Sequence, residues 1–284
     1  MNHTNNYAFG RKVFFLCPTF AMKSALITRL IDNEYETYII DDYRAAKTVL
    51  REYPRSICFV NIDDVLPHEH WFHFVASCEA DSSLASILFG VISAHIHKEE
   101  HSRFTDTLDL RAGFITMTES MDEVTEKIIN TLAVNSAKGR RQYVRSSCAD
   151  DKSALLLIRN GTKAYKMDLL DISVVGTACL ARLSEKDYFA PNTVFRNITI
   201  TLGTKNITLD AVVYATIPAE RFCKLVLLFI QPVAPETKQI IRGYIAAKLQ
   251  STVAAVIRAH EPDSTDYSHA VEAPHEKSHQ TGVG

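Results

Sequence analysis

Two short motifs near the middle of the chain carry residue types suited to binding a phosphate-bearing ligand. The first is R-x-x-x-R with one more arginine before it, formed by Arg140, Arg141 and Arg145. The second is D-x-S-x-x-G, formed by Asp171, Ser173 and Gly176. The planar donor fork of arginine matches phosphate oxygens and the O6/N7 edge of guanine. R-x-x-x-R alone arises easily by chance, but D-x-S-x-x-G is rarer, and the two in this order form a specific pattern.

The composition limits how such a site could be built. The chain has 284 residues, 46% of them hydrophobic, and a formal net charge of −2, which fits about two soluble domains. This balance excludes a chain that is basic throughout and held to nucleic acid by bulk charge. Only 10 residues are glycine, and neither G-x-G-x-x-G nor G-x-x-x-x-G-K-[ST] occurs. Side chains must therefore supply most contacts to any bound phosphate.

The first half of the chain alternates short apolar runs with helical patterns, which predicts a parallel α/β domain over residues 1–133. The predicted strands are Val13–Cys17, Thr37–Ile40, Ser56–Ile62, Ala85–Ile92 and Gly113–Met117. The predicted helices are Ala21–Asn33, Tyr43–Tyr53, His70–Cys78 and Met121–Leu132. Continuous apolar strands are typical of a sheet that is covered by helices on both faces.

The second half changes to strand patterns with short connections, which predicts a six-stranded antiparallel barrel within residues 134–260. Its predicted strands are Ala154–Arg159, Lys163–Leu170, Thr177–Leu183, Val194–Leu202, Asn206–Tyr214 and Phe222–Ile230. Asn160-Gly161 predicts a type I′ hairpin turn, and Gly203 marks a second hairpin. Glu236–Ala259 predicts a long amphipathic helix, and residues 261–284 a polar, disordered tail.

The two motifs, set around a strand–Asn-Gly–strand hairpin and followed by four more strands, resemble the PilZ domain, the bacterial receptor for cyclic di-GMP. The resemblance covers roughly residues 138–250. It implies that Arg141 and Arg145 are the family's two ligand-binding arginines. Arg140 stands where some members carry a further arginine associated with a stacked ligand dimer, so one or two ligands per chain stay open.

The resemblance also implies roles for the second motif. Cyclic di-GMP is a dianion with two guanines, so Asp171 would accept hydrogen bonds from guanine N1–H and N2–H₂. Ser173 would bond a phosphate or a base. Gly176 would permit a turn or a close backbone approach.

The amino-terminal block resembles a response-regulator receiver domain. Residues 63–67 read D-D-V-L-P after the third strand and match D-x-x-[LM]-P, which makes Asp63 a possible phospho-acceptor. A working receiver also needs an acidic pair after the first strand to hold Mg²⁺, whereas Cys17-Pro18-Thr19 stands there. Without that metal the phosphoryl transfer would lack its neutralising charge. We therefore expect a pseudo-receiver that serves protein contact.

The remaining residues support neither a metal site nor catalysis. Histidines 68, 70, 73, 95, 97 and 101 are grouped, but no cysteine or carboxylate set completes a closed metal site. No nucleophile–base pattern such as G-x-S-x-G occurs, so we expect no enzyme activity and no cofactor. Scattered cysteines and the absence of a spanning apolar run favour reduced thiols, a cytoplasmic location and no membrane span.

The sequence thus favours a cyclic di-GMP effector in which ligand binding reorients an amino-terminal domain that contacts an unidentified protein partner. Two alternatives stay open. One is a phosphorylation-controlled receiver whose barrel is a ligand-blind output module. The other is a nucleic-acid-binding β-barrel, which would need a basic sheet face with exposed aromatic residues. The oligomeric state and the process controlled are not predicted.

Overall fold

The structure, a computed structural model, describes residues 10–260, so the predicted tail lies outside the described residues. The first sheet is parallel and has the strand order β2-β1-β3-β4-β5. Its strands are β1 (Val13–Leu16), β2 (Thr37–Ile40), β3 (Ile57–Asn61), β4 (Leu88–Ser93) and β5 (Phe114–Thr116). This is the flavodoxin-like order, in which the connection reverses direction between β1 and β3. The parallel α/β prediction is confirmed.

Helices cover both faces of this sheet. They are α1 (Thr28–Asp32, after a π-helical segment Met22–Ile27), α2 (Ala46–Glu52), α3 (His68–Glu79), α4 (Lys98–Thr107) and α5 (Met121–Val134). One apolar core joins the sheet to α2 and α3, and a second joins its other face to α1 and α5. Ser120 and Glu123 form the capping box that begins α5.

The second sheet closes into a barrel. Its strands are β6 (Ser146–Ser147), β7 (Leu155–Asn160), β8 (Lys163–Ser173), β9 (Gly176–Arg182), β10 (Val194–Leu202), β11 (Lys205–Pro218) and β12 (Phe222–Phe229). The order β8-β7-β10-β11-β12-β9 returns to β8 through antiparallel pairing of β8 with β9. The predicted six-stranded barrel is therefore confirmed, and β6 is a short additional strand on β8.

The first hairpin turn differs from the predicted type. Asn160 pairs with Lys163, so the two central residues are Gly161 and Thr162. Of these two, only Gly161 has a positive φ, +56°, which is the pattern of a type II′ turn. The type I′ prediction was wrong because Asn160 is the last strand residue and does not occupy the turn. The Gly203 hairpin is present as predicted, with φ +61°.

A single long helix, α6 (Pro235–Ala259), packs on both domains. Ile241 and Ile245 lie in the barrel core, whereas Val253 lies in the core on one face of the parallel sheet. By length and composition alone α6 could cross a membrane, which is weak evidence because core helices pass the same test. The apolar face of the predicted amphipathic helix is shared between the two cores.

Candidate functional site

The short strand β6 brings the two predicted motifs together. Ser147 pairs with Asp171 and Ser146 pairs with Ile172, so the chain that carries the arginines is tied to the end of β8. The backbone N–H of Cys148 extends this pairing by donating to the carbonyl of Leu170 at 2.9 Å. The R-x-x-x-R segment therefore ends directly beside D-x-S-x-x-G.

The arginine linker, which we define as residues 137–145, presents its cations outward. Tyr143 and Val144 pack against the barrel core, while Arg140, Arg141 and Arg145 are exposed. The Nη1 atom of Arg145 lies 3.8 Å from Oδ1 of Asp171. This ion pair is loose and surface-exposed, so it contributes little to stability and leaves both groups accessible to a ligand.

Ser173 and Gly176 have packing roles within the β8–β9 hairpin. Ser173 is buried, and its hydroxyl donates to the carbonyl of Gly176 at 3.2 Å while accepting from Val175 N–H at 3.4 Å. A Cβ at Gly176 would lie 2.4 Å from the carbonyl oxygen of Leu227 on β12. Glycine is thus required here for the close approach of two strands, one of the two reasons that the sequence suggested.

A small cleft separates the arginine linker from the amino-terminal domain. Its volume is about 70 Å³. It is lined by four basic side chains (Arg11, Lys138, Arg141 and Arg145) and two acidic ones (Glu34 and Glu36). Small-molecule sites measure roughly 300–1,000 Å³, so this cleft as described is too small to enclose a nucleotide. Asp171 does not line it, so the cleft covers only one side of the motif region.

Glu34 ties the linker to the amino-terminal domain. This residue lies in the turn between α1 and β2, and its side chain is only 10% exposed. Its Oε2 accepts from the backbone N–H of Val144 at 3.1 Å, and its Oε1 accepts from Nε of Arg242 on α6 at 2.9 Å. One carboxylate thus joins the amino-terminal domain to the motif segment and to the carboxy-terminal helix.

The sequence reasoning did not identify Glu34, Arg242 or Arg11 as parts of this region. Glu34 and Val144 are 110 residues apart, and no local pattern marks a contact of that separation. A weak signal was present in Asn33-Glu34, because a short polar break between a helix and a strand marks a turn. Glu34 adopts a positive φ of 61° in that turn.

The carboxylate of the predicted phospho-acceptor, Asp63, accepts hydrogen bonds from the end of β4 and from the loop that follows it. Oδ1 accepts from the hydroxyl of Ser93 at 2.5 Å, and Oδ2 accepts from the backbone N–H of Ala94 at 2.5 Å. The Asp63 side chain is 10% exposed. A phosphoryl group would have to displace both hydrogen bonds.

Two of the grouped histidines lie beside carboxylates. His68 lies 3.1 Å from Glu100, and His73 lies 2.8 Å from Glu69, which is also paired with Arg103. Within residues 10–260, no group of three or more His, Cys, Asp or Glu side chains is arranged to hold a metal ion. The six cysteines are free and buried.

Comparison with known proteins gives structural matches only. No family model and no curated protein sequence matches the chain. It is similar to the PilZ domain of YcgR from Escherichia coli, solved with c-di-GMP, at 17% identity and a TM-score of 0.35, over 41% of this chain and 95% of that one. It is similar to the K. pneumonia MrkH–c-di-GMP complex at 18% identity and a TM-score of 0.34, over 44% and 57% of the two chains.

A third similar structure is the Bacillus subtilis inhibitor of motility, MotI/DgrA. The identity is 22% and the TM-score 0.32, over 37% of this chain and 49% of that one. The chain therefore spans about half the length of MrkH and of MotI/DgrA, but nearly all of the isolated YcgR domain.

Proposed function

We propose that this chain is a cytoplasmic, non-enzymatic PilZ effector that binds cyclic di-GMP at the R-x-x-x-R and D-x-S-x-x-G motifs. One observation carries the proposal above all others. The pairing of β6 with β8 sets Arg145 3.8 Å from Asp171, so a cation and a carboxylate meet at an accessible surface. A guanine nucleotide needs both, because its phosphate attracts arginine and its N1–H and N2–H₂ edge requires an acceptor.

Each motif residue has a distinct task in this proposal. Arg141 and Arg145 bind phosphate or the O6/N7 edge of guanine, and Asp171 accepts from the opposite edge. Ser173 and Gly176 keep the hairpin in the shape that holds Asp171 in place, since the hydroxyl of Ser173 is bonded within the hairpin. Arg140, exposed before them, would serve a second, stacked ligand.

Ligand binding would also change the relation of the two domains. For the dinucleotide to enter the cleft of about 70 Å³ as well, the arginine linker would have to move. That movement would withdraw Val144 from Glu34 and loosen the link between the linker, the amino-terminal domain and Arg242. The arginine linker would then have two states, one in contact with the amino-terminal domain and one bound to the ligand. The ligand would favour the second state because it makes more contacts there.

The amino-terminal domain, in this proposal, is a pseudo-receiver that contacts a protein partner. The carboxylate of Asp63 is already hydrogen-bonded by Ser93 and Ala94, which disfavours its use as a phospho-acceptor. The barrel would then bind the ligand, and the amino-terminal domain would pass the change on to the protein partner.

Isothermal titration calorimetry with cyclic di-GMP tests the binding proposal. We expect the wild-type chain to bind and Arg141→Ala to lose at least about tenfold in affinity, as removal of a charge-assisted contact does. Arg159→Ala is the matched control, because Arg159 is an exposed arginine on β7 outside both motifs. No binding by the wild-type chain, or equal losses in both variants, would refute the proposal. The stoichiometry distinguishes one ligand from a stacked pair.

A further inference from the structure

The seam between β8 and β9 is paired at one end only. Pairing of the two strands runs from the hairpin turn to Leu169 and Cys179, and within the described residues it stops there. Beyond that point β8 continues along β7 to Lys163, and β9 continues along β12 to Arg182. Each strand keeps only its outer neighbour over this stretch, so the barrel wall is split at the far end of the hairpin.

The split forms a groove with a volume of about 620 Å³. This lies within the range of roughly 300–1,000 Å³ that is typical of binding sites. Residues of β8 line one wall of the groove and residues of β9 the other, and none of the six motif residues lines it. Along β9, Leu180 of the groove lies roughly 13 Å from Gly176 of the motif, at about 3.3 Å per residue. The groove is therefore a separate site on the barrel.

The backbone of β8 directs hydrogen-bonding groups into this groove. The N–H of Leu169 donates to the carbonyl of Ala154 on the β7 side at 3.1 Å. Because the direction of the backbone groups alternates along a strand, Ala164 and Lys166 point their N–H and C=O groups away from β7 and towards β9. Both residues lie beyond the end of the β8–β9 pairing, so this part of β8 is an open strand edge.

On the opposite wall a side chain takes the place of a neighbouring strand. Oε2 of Glu185 accepts from the backbone N–H of Arg182 at 3.4 Å. Glu185 belongs to the helical turn that follows β9, and it lines the groove. An open strand edge is a template for pairing with another chain. Since the edge of β9 is partly capped, β8 is the edge to which a further strand would add.

The charged lining of the groove is positive on balance. It contains three basic residues (Lys152, Lys166 and Arg182) and two acidic ones (Asp168 and Glu185). Asp168 already lies 4.0 Å from Lys152, and Glu185 accepts from a backbone N–H. The exposed cations Lys166 and Arg182, which face each other across the groove, therefore favour acidic side chains in an added strand.

The remaining lining is apolar. Met167 and Ala181 are buried beneath the groove walls, and the aromatic ring of Phe222 on β12 is half exposed. Successive side chains of a strand point to opposite faces of a sheet. A strand beside β8 would thus set every second side chain next to Lys166, and the intervening ones next to Met167.

We propose that this groove binds an extended peptide segment of a partner protein, which adds as a strand to β8 at Ala164 and Lys166 and carries alternating acidic and apolar side chains. Main-chain hydrogen bonds to the open edge supply affinity, and the alternate side chains supply specificity. The surface goes beyond the proposed function, because it gives the barrel a protein contact of its own that does not use the cyclic di-GMP motifs.

Amide hydrogen exchange, measured by NMR on the full chain without a partner, tests the open edge. The N–H of Lys166 should exchange at least about tenfold faster than those of Tyr165 and Met167, which point towards β7. Equal protection of all three would overturn the proposal, because the edge would then be paired already.

The probe for binding is an eight-residue peptide in which glutamate alternates with valine, and its control has lysine in place of glutamate. We expect the glutamate peptide to bind in isothermal titration and to slow the exchange of the Lys166 N–H. Lys166→Glu with Arg182→Glu should lose at least about tenfold in affinity for it. Lys98→Glu with Lys205→Glu, which makes the same change of charge at exposed positions outside the groove, should keep the wild-type affinity.

Thermal unfolding monitors the fold of every variant, and Lys166→Gln with Arg182→Gln replaces the first variant if the reversed charges unfold the chain. No binding of the glutamate peptide, equal binding of the lysine peptide, or an equal loss in the Lys98/Lys205 variant would overturn the proposal. These outcomes leave the proposed function intact, because cyclic di-GMP is titrated separately into the same preparations.

Discussion

Replacing Glu34 with alanine tests whether its contact with the linker opposes ligand binding. The carboxylate of Glu34 accepts from Val144 N–H at 3.1 Å and from Arg242 Nε at 2.9 Å. Both partners lie outside the amino-terminal α/β sheet and its connections, so the substitution removes an interdomain link. Glu34 and Arg242 are 10% and 22% exposed, so screening by solvent is limited.

The structure predicts effects of opposite sign on stability and on affinity. A hydrogen bond to a charged group contributes about 1.5–3 kcal/mol, so loss of both contacts should lower the free energy of unfolding by about 3–6 kcal/mol. If the ligand must withdraw Val144 from Glu34, the variant no longer has that bond to break. Its affinity for cyclic di-GMP should then rise by about tenfold, the equivalent of about 1.4 kcal/mol.

Urea denaturation and calorimetry measure the two effects in the same preparations. Glu36→Ala is the matched control, because Glu36 lines the same cleft but pairs with Lys12 inside the amino-terminal domain. Any gain in affinity that comes only from the loss of one negative charge should be the same in both variants. If Glu34→Ala binds no more tightly than Glu36→Ala, the linker does not leave Glu34 on binding and the coupling argument is wrong.

Three further predictions concern the barrel and the amino-terminal domain. Gly176→Ala places a Cβ 2.4 Å from the carbonyl oxygen of Leu227, so the free energy of unfolding should fall by about 1–3 kcal/mol. Chemical denaturation measures this loss, and an unchanged midpoint would contradict the close packing of the two strands. Asp151 accepts from Ser153 and Tyr244, which holds the pKa of its carboxyl below the ordinary value. A carboxyl group whose pKa is lowered by folding stabilises the fold above about pH 4, which is its pKa in the unfolded chain. That stabilisation is lost as the pH falls towards the pKa of the same group in the folded chain. The free energy of unfolding of Asp151→Asn should therefore depend less on pH in the acid range than that of the wild-type chain. The same dependence in both would contradict the contacts of Asp151. Beryllofluoride with Mg²⁺ should leave the emission of the buried Trp71 unchanged, and a response that Asp63→Asn abolishes would restore the phospho-acceptor hypothesis.

The fold was predictable where burial leaves a continuous apolar run. Residues 13–16 and 57–60 are wholly buried strands and read as such in the sequence. Helix α4 was not predicted, because Phe104 is its only buried residue and the rest of its sequence is polar. Its start depends on a capping box between His97 and Glu100, a weaker signal than apolar periodicity.

The candidate site was predictable in its residue types but not in the contacts that hold the linker. The proximity of Arg145 to Asp171 depends on the two-residue strand β6, which is too short to leave a strand pattern. The contact of Glu34 with Val144 depends on how two domains pack, which is a property of surfaces and not of local sequence.

In the proposed mechanism, the helix α6 would restrict how far the domains move when a ligand opens the linker. Its first half is anchored in the barrel, where Tyr244 donates to Asp151 at 2.8 Å. Its second half is anchored on the edge strand β2, where Gln250 accepts from Ile39 N–H at 3.0 Å and donates to Ile39 C=O at 2.8 Å. A free swing of one domain about the linker would break the continuous helix or strip it from one core. Opening of the linker is therefore compatible with a small shift about α6, in which Glu34 separates from Val144 while Gln250 keeps its place on the sheet.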